Sequence, residues 1–435
     1  MTTLIDTHLG KRFALRNILH NASHHNSTSA IPKTDLTPEK EPSVTSTIAA
    51  LANEIAAHPD SILLDKYNHT QRTNDWKNLE GEDVLDASGA LIPINIRRRP
   101  GHNILDHHMP HFWDVRNHRG NSVRSSITEA TIEKALWQNL QNHSTPYASE
   151  LRRMIINTCA LGSVTKYRAL TTKAIVRFFG ATRVLDPCAG WGGRLLGTLA
   201  AGATYVGCEP DPQTAAGLRA ILADTAIPVA RRSAGTILEQ PAEIALPTLA
   251  NGSYDLILTS PPYFNMELYN GDQQSLTSHT SWDTWTQGWL RPVITAALEK
   301  LTPSGVSCWS VKNIKTDRAY PLADVVKQIH EDLGYTLVKT VVVRGCGRMG
   351  VNRIGDDGKE TRKSEEETFC FRKPILSESD TNPSTNPTTN PSTNPKPNYS
   401  TLAVHALRDL WRQRGFRGFS TKTKEELIAR LEAGV

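Results

Sequence analysis

Two patterns alternate through the second half of the chain. Short apolar runs at Arg183-Val-Leu185, Thr204-Tyr-Val-Gly-Cys-Glu209, Tyr254-Asp-Leu-Ile-Leu-Thr259 and Val306-Ser-Cys-Trp-Ser-Val311 read as strands. Between them lie stretches with helical spacing: Arg194 to Ala201, Pro212 to Leu222, Trp282 to Lys300 and Ala323 to Leu333. Alternation of this kind predicts an α/β fold with a Rossmann-like, mostly parallel sheet. Val229 to Ser233 reads as a further short strand, and Thr336 to Arg344 with Thr368 to Arg372 as an antiparallel pair at the sheet's edge. Trp282, Trp285 and Trp289 fall at helical spacing, which suits core packing better than a base-stacking platform.

The first half is less regular. Residues 1 to about 45 are rich in Ser, Thr, Asn, His and Pro, and Ile48 to Ala57 reads as a short Ala-rich helix, so 1–60 is expected to be a largely disordered tail. Residues 61–147 form an accessory region, with a helix ending near Leu140 and another over Tyr147 to Leu161. The α/β domain is placed at 148–374, opening with a helix from Thr171 to Phe179. Thr-Asn-Pro then occurs four times at four-residue spacing, which marks 375–398 as an extended linker before a small helical hairpin at 399–435.

A length of 435 residues suits two to three domains, and 38% hydrophobic content suffices for a sizeable core. The net charge of +5 is mild; it permits nucleic-acid binding without demonstrating it. Six scattered cysteines without a Cys-x-x-Cys pair point to a reducing compartment and give no zinc framework. His107, His108 and His111 do not make a metal site either, because Pro110 breaks the helix that would align them, so no metal is expected. No apolar run is long enough to span a membrane and no signal-peptide pattern opens the chain. The expected location is a prokaryotic or viral-host cytoplasm, or the nucleus or an organelle in a eukaryote.

Candidate chemistry concentrates at two strand ends. After Arg183–Leu185 comes Asp186-Pro187-Cys188-Ala189-Gly190-Trp191-Gly192-Gly193, a turn whose glycines let a ligand approach the backbone at a helix N-terminus. Glu209 ends the next strand, where a doubly wound sheet grips ribose hydroxyls. Tyr254–Thr259 runs directly into Ser260-Pro261-Pro262-Tyr263. Strand ends on one edge of a parallel sheet open on one crevice, so the turn and the tetrapeptide are expected to face each other across it.

Taken in this order, the two motifs resemble those of the S-adenosylmethionine-dependent amino-methyltransferases that act on exocyclic nitrogens of nucleic-acid bases. The likeness spans about 148–373. Serine at Ser260 resembles the N4-cytosine enzymes more than the N6-adenine enzymes. The resemblance implies S-adenosyl-L-methionine as cofactor, held by Asp186, Pro187, Ala189, Gly190, Gly192 and Glu209, with Lys166 to Arg168 over its methionine end. Family members often carry an acid after the third strand to hold the adenine amine. Here that acid is missing and Ser233 is the substitute to test. Ser260, Pro261, Pro262 and Tyr263 become the catalytic residues. The Ser260 hydroxyl and Pro261 carbonyl accept hydrogens of the amine, while Tyr263, or with less support Phe264, stacks on a base extruded from the helix. Lys312 and Asn313 are candidates to line the crevice. Cys188 follows a proline, as does the nucleophile of 5-methylcytosine enzymes, but it lies inside the cofactor turn and reads as a small buried residue.

DNA is the expected partner, with RNA possible; the oligomeric state is left open. Region 61–147 is the candidate for target recognition by elimination, and Arg97 to Arg99 within it either touch phosphate or sit in a solvated turn. Arg344, Arg348 and Arg353 flank a glycine-rich segment that either follows a phosphate backbone or forms a solvated hairpin tip. The hairpin at 399–435 resembles the SAP module, a small nucleic-acid-binding unit, which would place Arg417, Lys422 and Lys424 near phosphate. Two rival readings remain: an RNA-base or protein-glutamine N-methyltransferase, and a DNA-binding scaffold with a vestigial methyltransferase fold.

Overall fold

The computed structural model describes residues 4–11, 42–94, 98–142, 145–159, 161, 165–269, 274–344 and 365–374, together with 423, 424 and 429. Eleven strands occur among the described residues: β1 (Arg116–Asn117), β2 (Arg183–Asp186), β3 (Thr204–Cys208), β4 (Gly235–Leu238), β5 (Tyr254–Thr259), β6 (Glu267–Leu268), β7 (Leu301–Ser310), β8 (Ile314–Lys315), β9 (Ala319–Tyr320), β10 (Thr336–Arg344) and β11 (Glu365–Arg372). Seven of them form the central sheet, in the order β10-β11-β7-β5-β2-β3-β4. Pairings from β4 through β7 are parallel, while β11 is antiparallel to both β7 and β10. The expected α/β class and the antiparallel pair at the edge are both present.

The order of the strands places the functional crevice. From β2 the chain steps outward to β3 and β4, then returns to lay β5 on the other side of β2. The reversal leaves a topological switch point between β2 and β5, beyond their carboxyl ends, where open α/β sheets bind ligands. Val184 pairs with Leu256 and Leu185 with Ile257, so the two strands end side by side.

Helices cover both faces. One hydrophobic layer packs Leu195, Leu196 and Leu199 of helix Gly193–Ala201 with Ala174 and Ile175 of helix Ala169–Phe179. The other packs Trp285, Trp289 and Val293 with Trp309 and Phe371, so the tryptophan stripe belongs to the core as its spacing indicates. Gly197 sits at the first layer's closest approach, since a Cβ there would lie 2.1 Å from the Ala169 carbonyl oxygen.

Two expectations need correction. Val229–Arg232 is a helical turn, and the strand lies later, at Gly235–Leu238. Pro228 has φ −56° and its carbonyl accepts from the Arg231 and Arg232 N–H groups, closing the turn; Val229 is exposed, so its β-branched side chain has no sheet surface to pack on. The expected tail over 1–60 is also too long. Helix Pro42–Ala57 buries Val44, Ile48, Leu51 and Ile55 against helices Glu129–Gln141 and Ala148–Thr158. Spacings of four, three and four put those residues on one stripe.

The region 61–147 is built into the α/β layer rather than set apart from it. Trp76, Leu79, Ile104, Leu105 and Met109 join the first hydrophobic layer. Asp75 anchors them by accepting hydrogen bonds from the N–H groups of Gly101, Asn103 and Ile104 at 2.9, 2.9 and 3.3 Å. The chain divides into a unit at Met1–Ile375 and a second at Leu376–Val435. The Thr-Asn-Pro repeats and all but three residues of the SAP-like hairpin lie outside the described residues. Among the described residues, no helix is long and apolar enough to cross a membrane.

Candidate functional site

Asp186, the last residue of β2, is fully buried and organises the switch point. Its Oδ2 accepts from Arg194 Nε at 2.7 Å and from the Tyr205 hydroxyl at 2.8 Å. Oδ1 accepts from the Thr259 hydroxyl at 2.8 Å and from the Cys188 N–H at 3.2 Å. One carboxylate thus ties the ends of β2 and β5, and the Tyr205 side chain of β3, to the glycine-bearing turn. Burial works against the Arg194 charge, but Asp186 outweighs it and the pKa is raised, so the guanidinium stays ionised.

The turn from Pro187 to Gly193 needs its glycines. Gly190 and Gly192 have φ of 54° and 82°, in the left-handed region. A Cβ on Gly193 would stand 1.9 Å from the Tyr167 carbonyl oxygen, so this glycine lets the segment around Tyr167 lie across the turn. Arg194 places its guanidinium 5.2 Å from the centre of the Tyr167 ring. Glu209 follows β3 and bridges the crevice floor, accepting from the Gly190 N–H at 2.8 Å and the Asp211 N–H at 3.0 Å. Burial, only partly offset by those hydrogen bonds, pushes its pKa up to about 7.

Ser260 to Tyr263 leave the end of β5 next to this turn. The Tyr263 hydroxyl donates to the Ser310 carbonyl at 3.3 Å. Phe264 adopts φ 48°, a left-handed conformation rare for a bulky residue, and its ring packs among Trp282, Trp285 and Tyr320. The strained turn sends the chain back through β6, which pairs with β1.

A cavity of about 1380 Å³ opens between the two loops. Ligand pockets typically measure about 300–1,000 Å³, so this one has room for two molecules side by side. Pro187, Ala189, Gly190 and Glu209 line it from one side, and Ser260, Pro261, Pro262 and Tyr263 from the other. Three expected cofactor contacts are not on its wall. Asp186 is buried behind the turn, Gly192 faces Leu218 and Ile221, and Ser233 caps the helical turn before β4. Past the observed β4, it is Pro241, Ala242 and Glu243 that reach the cavity. Lys312 lines it as expected; Asn313 instead accepts from the Ala323 N–H and donates to Asp324. Cys188 is on the wall with its thiol pKa raised well up by burial and the Asp186 charge, which leaves it a poor nucleophile.

Lys166 to Arg168, expected over the methionine end of the cofactor, line the wall, but the contacts that hold them there could not be read from the motifs. Lys166 donates to Asp106 at 2.6 Å and stands 4.5 Å from the centre of the Phe112 ring, so the segment before the turn is pinned to residues of the 61–147 region. His102 is also on this wall, and burial lowers its pKa to about 4. Glu267 and Tyr269, joined by a short hydrogen bond from the tyrosine hydroxyl, complete the side near Ser260–Tyr263. The Arg344 side chain and Arg348, Arg353, Arg417 and Lys422 lie outside the described residues. Lys424 is described without the hairpin around it. Among the described residues no cluster of His, Cys, Asp and Glu could hold a metal ion.

Residues 254–430 match the family model for N6/N4 methyltransferases described as DNA methylase, which covers less than half of the chain. No curated protein matches in sequence. Similar solved structures include a precorrin 8W decarboxylase of Methanobacterium thermoautotrophicum, at 14% identity and TM-score 0.31 over 48% of this chain and 91% of that one. Another is a magnesium protoporphyrin IX methyltransferase of Synechocystis PCC 6803 with bound SAM, at 13% identity and TM-score 0.31 over 49% of this chain and 87% of that one. A third is a precorrin-6y C5,15-methyltransferase of Geobacter metallireducens, at 16% identity and TM-score 0.30 over 49% and 91%.

Proposed function

We propose that this protein is an S-adenosylmethionine-dependent DNA methyltransferase acting on an exocyclic base amine, cytosine N4 in preference to adenine N6. The observation that carries the reading is the opening of the glycine turn after β2 and Ser260–Tyr263 after β5 into one cavity, with a single carboxylate, Asp186, joining the two strand ends. The match of 254–430 to the DNA methylase model supports the substrate class.

The residues present suit the cofactor. Gly193 leaves the backbone bare where a Cβ would strike the Tyr167 carbonyl, Gly190 on the cavity wall supplies a left-handed turn, and Glu209 offers a carboxylate to ribose hydroxyls there. Pro187 and Ala189 flank it; Pro241 and Ala242, in place of Ser233, are set to border the adenine. When bound, S-adenosylmethionine supplies an electrophilic methyl group on a sulfonium.

An exocyclic amine is a weak nucleophile because its lone pair is delocalised into the ring. Ser260 and Pro261 answer this by accepting the amine hydrogens, which holds the lone pair out of the ring and toward the methyl donor. Pro262 stiffens the loop, and the bond from Tyr263 to Ser310 fixes the ring on which the base stacks. Phe264 is committed to the aromatic core, which leaves the stacking role to Tyr263. The target base has to leave its helix to enter, by flipping or from a single strand. Asp186 and Gly192 act as scaffold for the turn rather than as cofactor contacts.

Titration of the purified protein with S-adenosylmethionine by calorimetry, followed by transfer of labelled methyl groups to duplex DNA, tests the reading. Binding and transfer to DNA are expected. Binding with transfer to RNA alone would reassign the substrate, and absence of binding would favour a DNA-binding scaffold.

A further inference from the structure

Methylation leaves the amine nitrogen with a proton too many, and neither Ser260 nor Pro261 can take it. A hydroxyl and an amide carbonyl accept hydrogen bonds but are very weak bases near neutral pH. Resting on the function proposed above, we propose that Glu267 is a catalytic residue, its carboxylate accepting the proton that the target amine releases.

The cavity's other carboxylates are engaged. Glu209 accepts from the Gly190 and Asp211 N–H groups and is assigned to the ribose hydroxyls, and Asp211 caps a helix through the Thr214 N–H and hydroxyl. Asp106 is paired with Lys166, Asp65 with Arg152, and Glu150 with Arg153. Glu243 accepts from the Trp289 indole N–H at 3.0 Å and belongs to the 241–243 segment assigned to the adenine rather than to the segment that follows Tyr263. Glu267 has no ion-pair partner among the described residues, and its bond from the Tyr269 hydroxyl occupies Oε2 alone.

Its position is built rather than incidental. The left-handed Phe264 and the short helical turn Phe264–Met266 bring the chain back toward the cavity immediately after Tyr263. The pairing of Glu267 with Asn117 then fixes β6. The Tyr269 ring reaches Trp191 of the cofactor turn, centre to centre 6.2 Å, so the Glu267–Tyr269 pair spans the space between the two loops. Burial raises the Glu267 pKa, with the Tyr269 hydrogen bond and the charge of Lys312, just past β7, working against it; Glu209, after β3, and Tyr263, after β5, face Tyr269. A carboxylate so placed is a stronger base than one in water.

The step balances as follows. The nitrogen lone pair forms the N–C bond while the C–S electron pair passes to sulfur. The N–H electron pair then stays on nitrogen and the proton goes to Glu267 Oε1, giving a neutral carboxyl that returns its proton to solvent.

The test compares wild type with Glu267→Gln and Glu267→Asp, measuring kcat against pH, KM for DNA, calorimetric affinity for S-adenosylmethionine and Tm. The expected result for Glu267→Gln is a fall in kcat of about 10²-fold or more and loss of the acidic limb of the pH profile. KM, cofactor affinity and Tm are expected to stay near wild type, with Glu267→Asp recovering part of kcat and the limb. A Glu267→Gln protein that keeps wild-type kcat and its acidic limb overturns the proposal while leaving the function reading intact. A wild-type protein that binds cofactor yet methylates no base amine at any pH overturns both.

Discussion

The Thr259 hydroxyl donates to Asp186 Oδ1 at 2.8 Å, joining the last residue of β5 to the last residue of β2. The bond is buried, and the same carboxylate neutralises Arg194. Asp186→Asn leaves a buried guanidinium without its counter-charge, which typically costs about 3–5 kcal/mol. The expected fall in Tm is on the order of 10 °C for a domain of this size. Thr259→Val removes one neutral hydrogen bond and should cost about 1 kcal/mol from that bond, plus desolvation of the acceptor. Loss of the exposed pair between Arg183 and Asp255 in Arg183→Ala should move Tm by no more than a couple of degrees. Calorimetric or fluorescence melts of the three variants check the order.

Glu209 ties stability to pH. Its folded pKa of about 7 lies above the value for an unfolded glutamate, so the folded state holds the proton more tightly between those limits. For this group, stability is greatest below the unfolded pKa and declines as pH rises, levelling off above about 7. The protein without cofactor is therefore expected to gain stability from Glu209→Gln at pH 8 relative to pH 5, in paired melts of variant and wild type. The same substitution should weaken cofactor affinity by tenfold or so, because the ribose hydroxyls lose a charged acceptor. Equal effects on Tm at the two pH values would contradict the assignment of the raised pKa.

Ser260→Ala and Pro261→Ala separate chemistry from binding. Each is expected to lower turnover by about 10²-fold while leaving cofactor affinity within about threefold, because the loop acts on the amine and not on the cofactor. Parallel loss of affinity and turnover would place this loop among the cofactor contacts instead.

Much of the site was legible because its residues do local work. Gly190, Glu209 and Ser260–Tyr263 sit at strand ends, where residue type, strand pattern and position coincide, and all reach one cavity. Asp186 and Gly192 were legible as a motif but not as a role, since the sequence cannot tell a residue that touches a ligand from one that holds the loop behind it. Ser233 was misplaced because Val229 to Ser233 reads as a strand but forms a helical turn on which Val229 is exposed. Glu267, His102 and Asp106, the partner of Lys166, were out of reach for another reason. Their positions depend on β1 meeting β6 and on Asp106 meeting Lys166, contacts between distant stretches with no periodicity to announce them.

Helix Pro42–Ala57 carries the same lesson for stability. Ile48 is fully buried among residues of two later helices, so Ile48→Ala should cost about 2–5 kcal/mol and lower Tm accordingly. A chain lacking residues 1–60 should expose that surface and aggregate, readable by size-exclusion chromatography. A monomeric truncation with unchanged Tm would show the helix to be dispensable.

The most direct measurement digests DNA treated with the protein and S-adenosylmethionine to nucleosides and identifies the methylated product by mass spectrometry. N4-methyldeoxycytidine is the predicted product, absent with Ser260→Ala. A 5-methyl product, or no methylated nucleoside in DNA at all, would contradict transfer to an exocyclic amine held by the Ser260–Tyr263 loop.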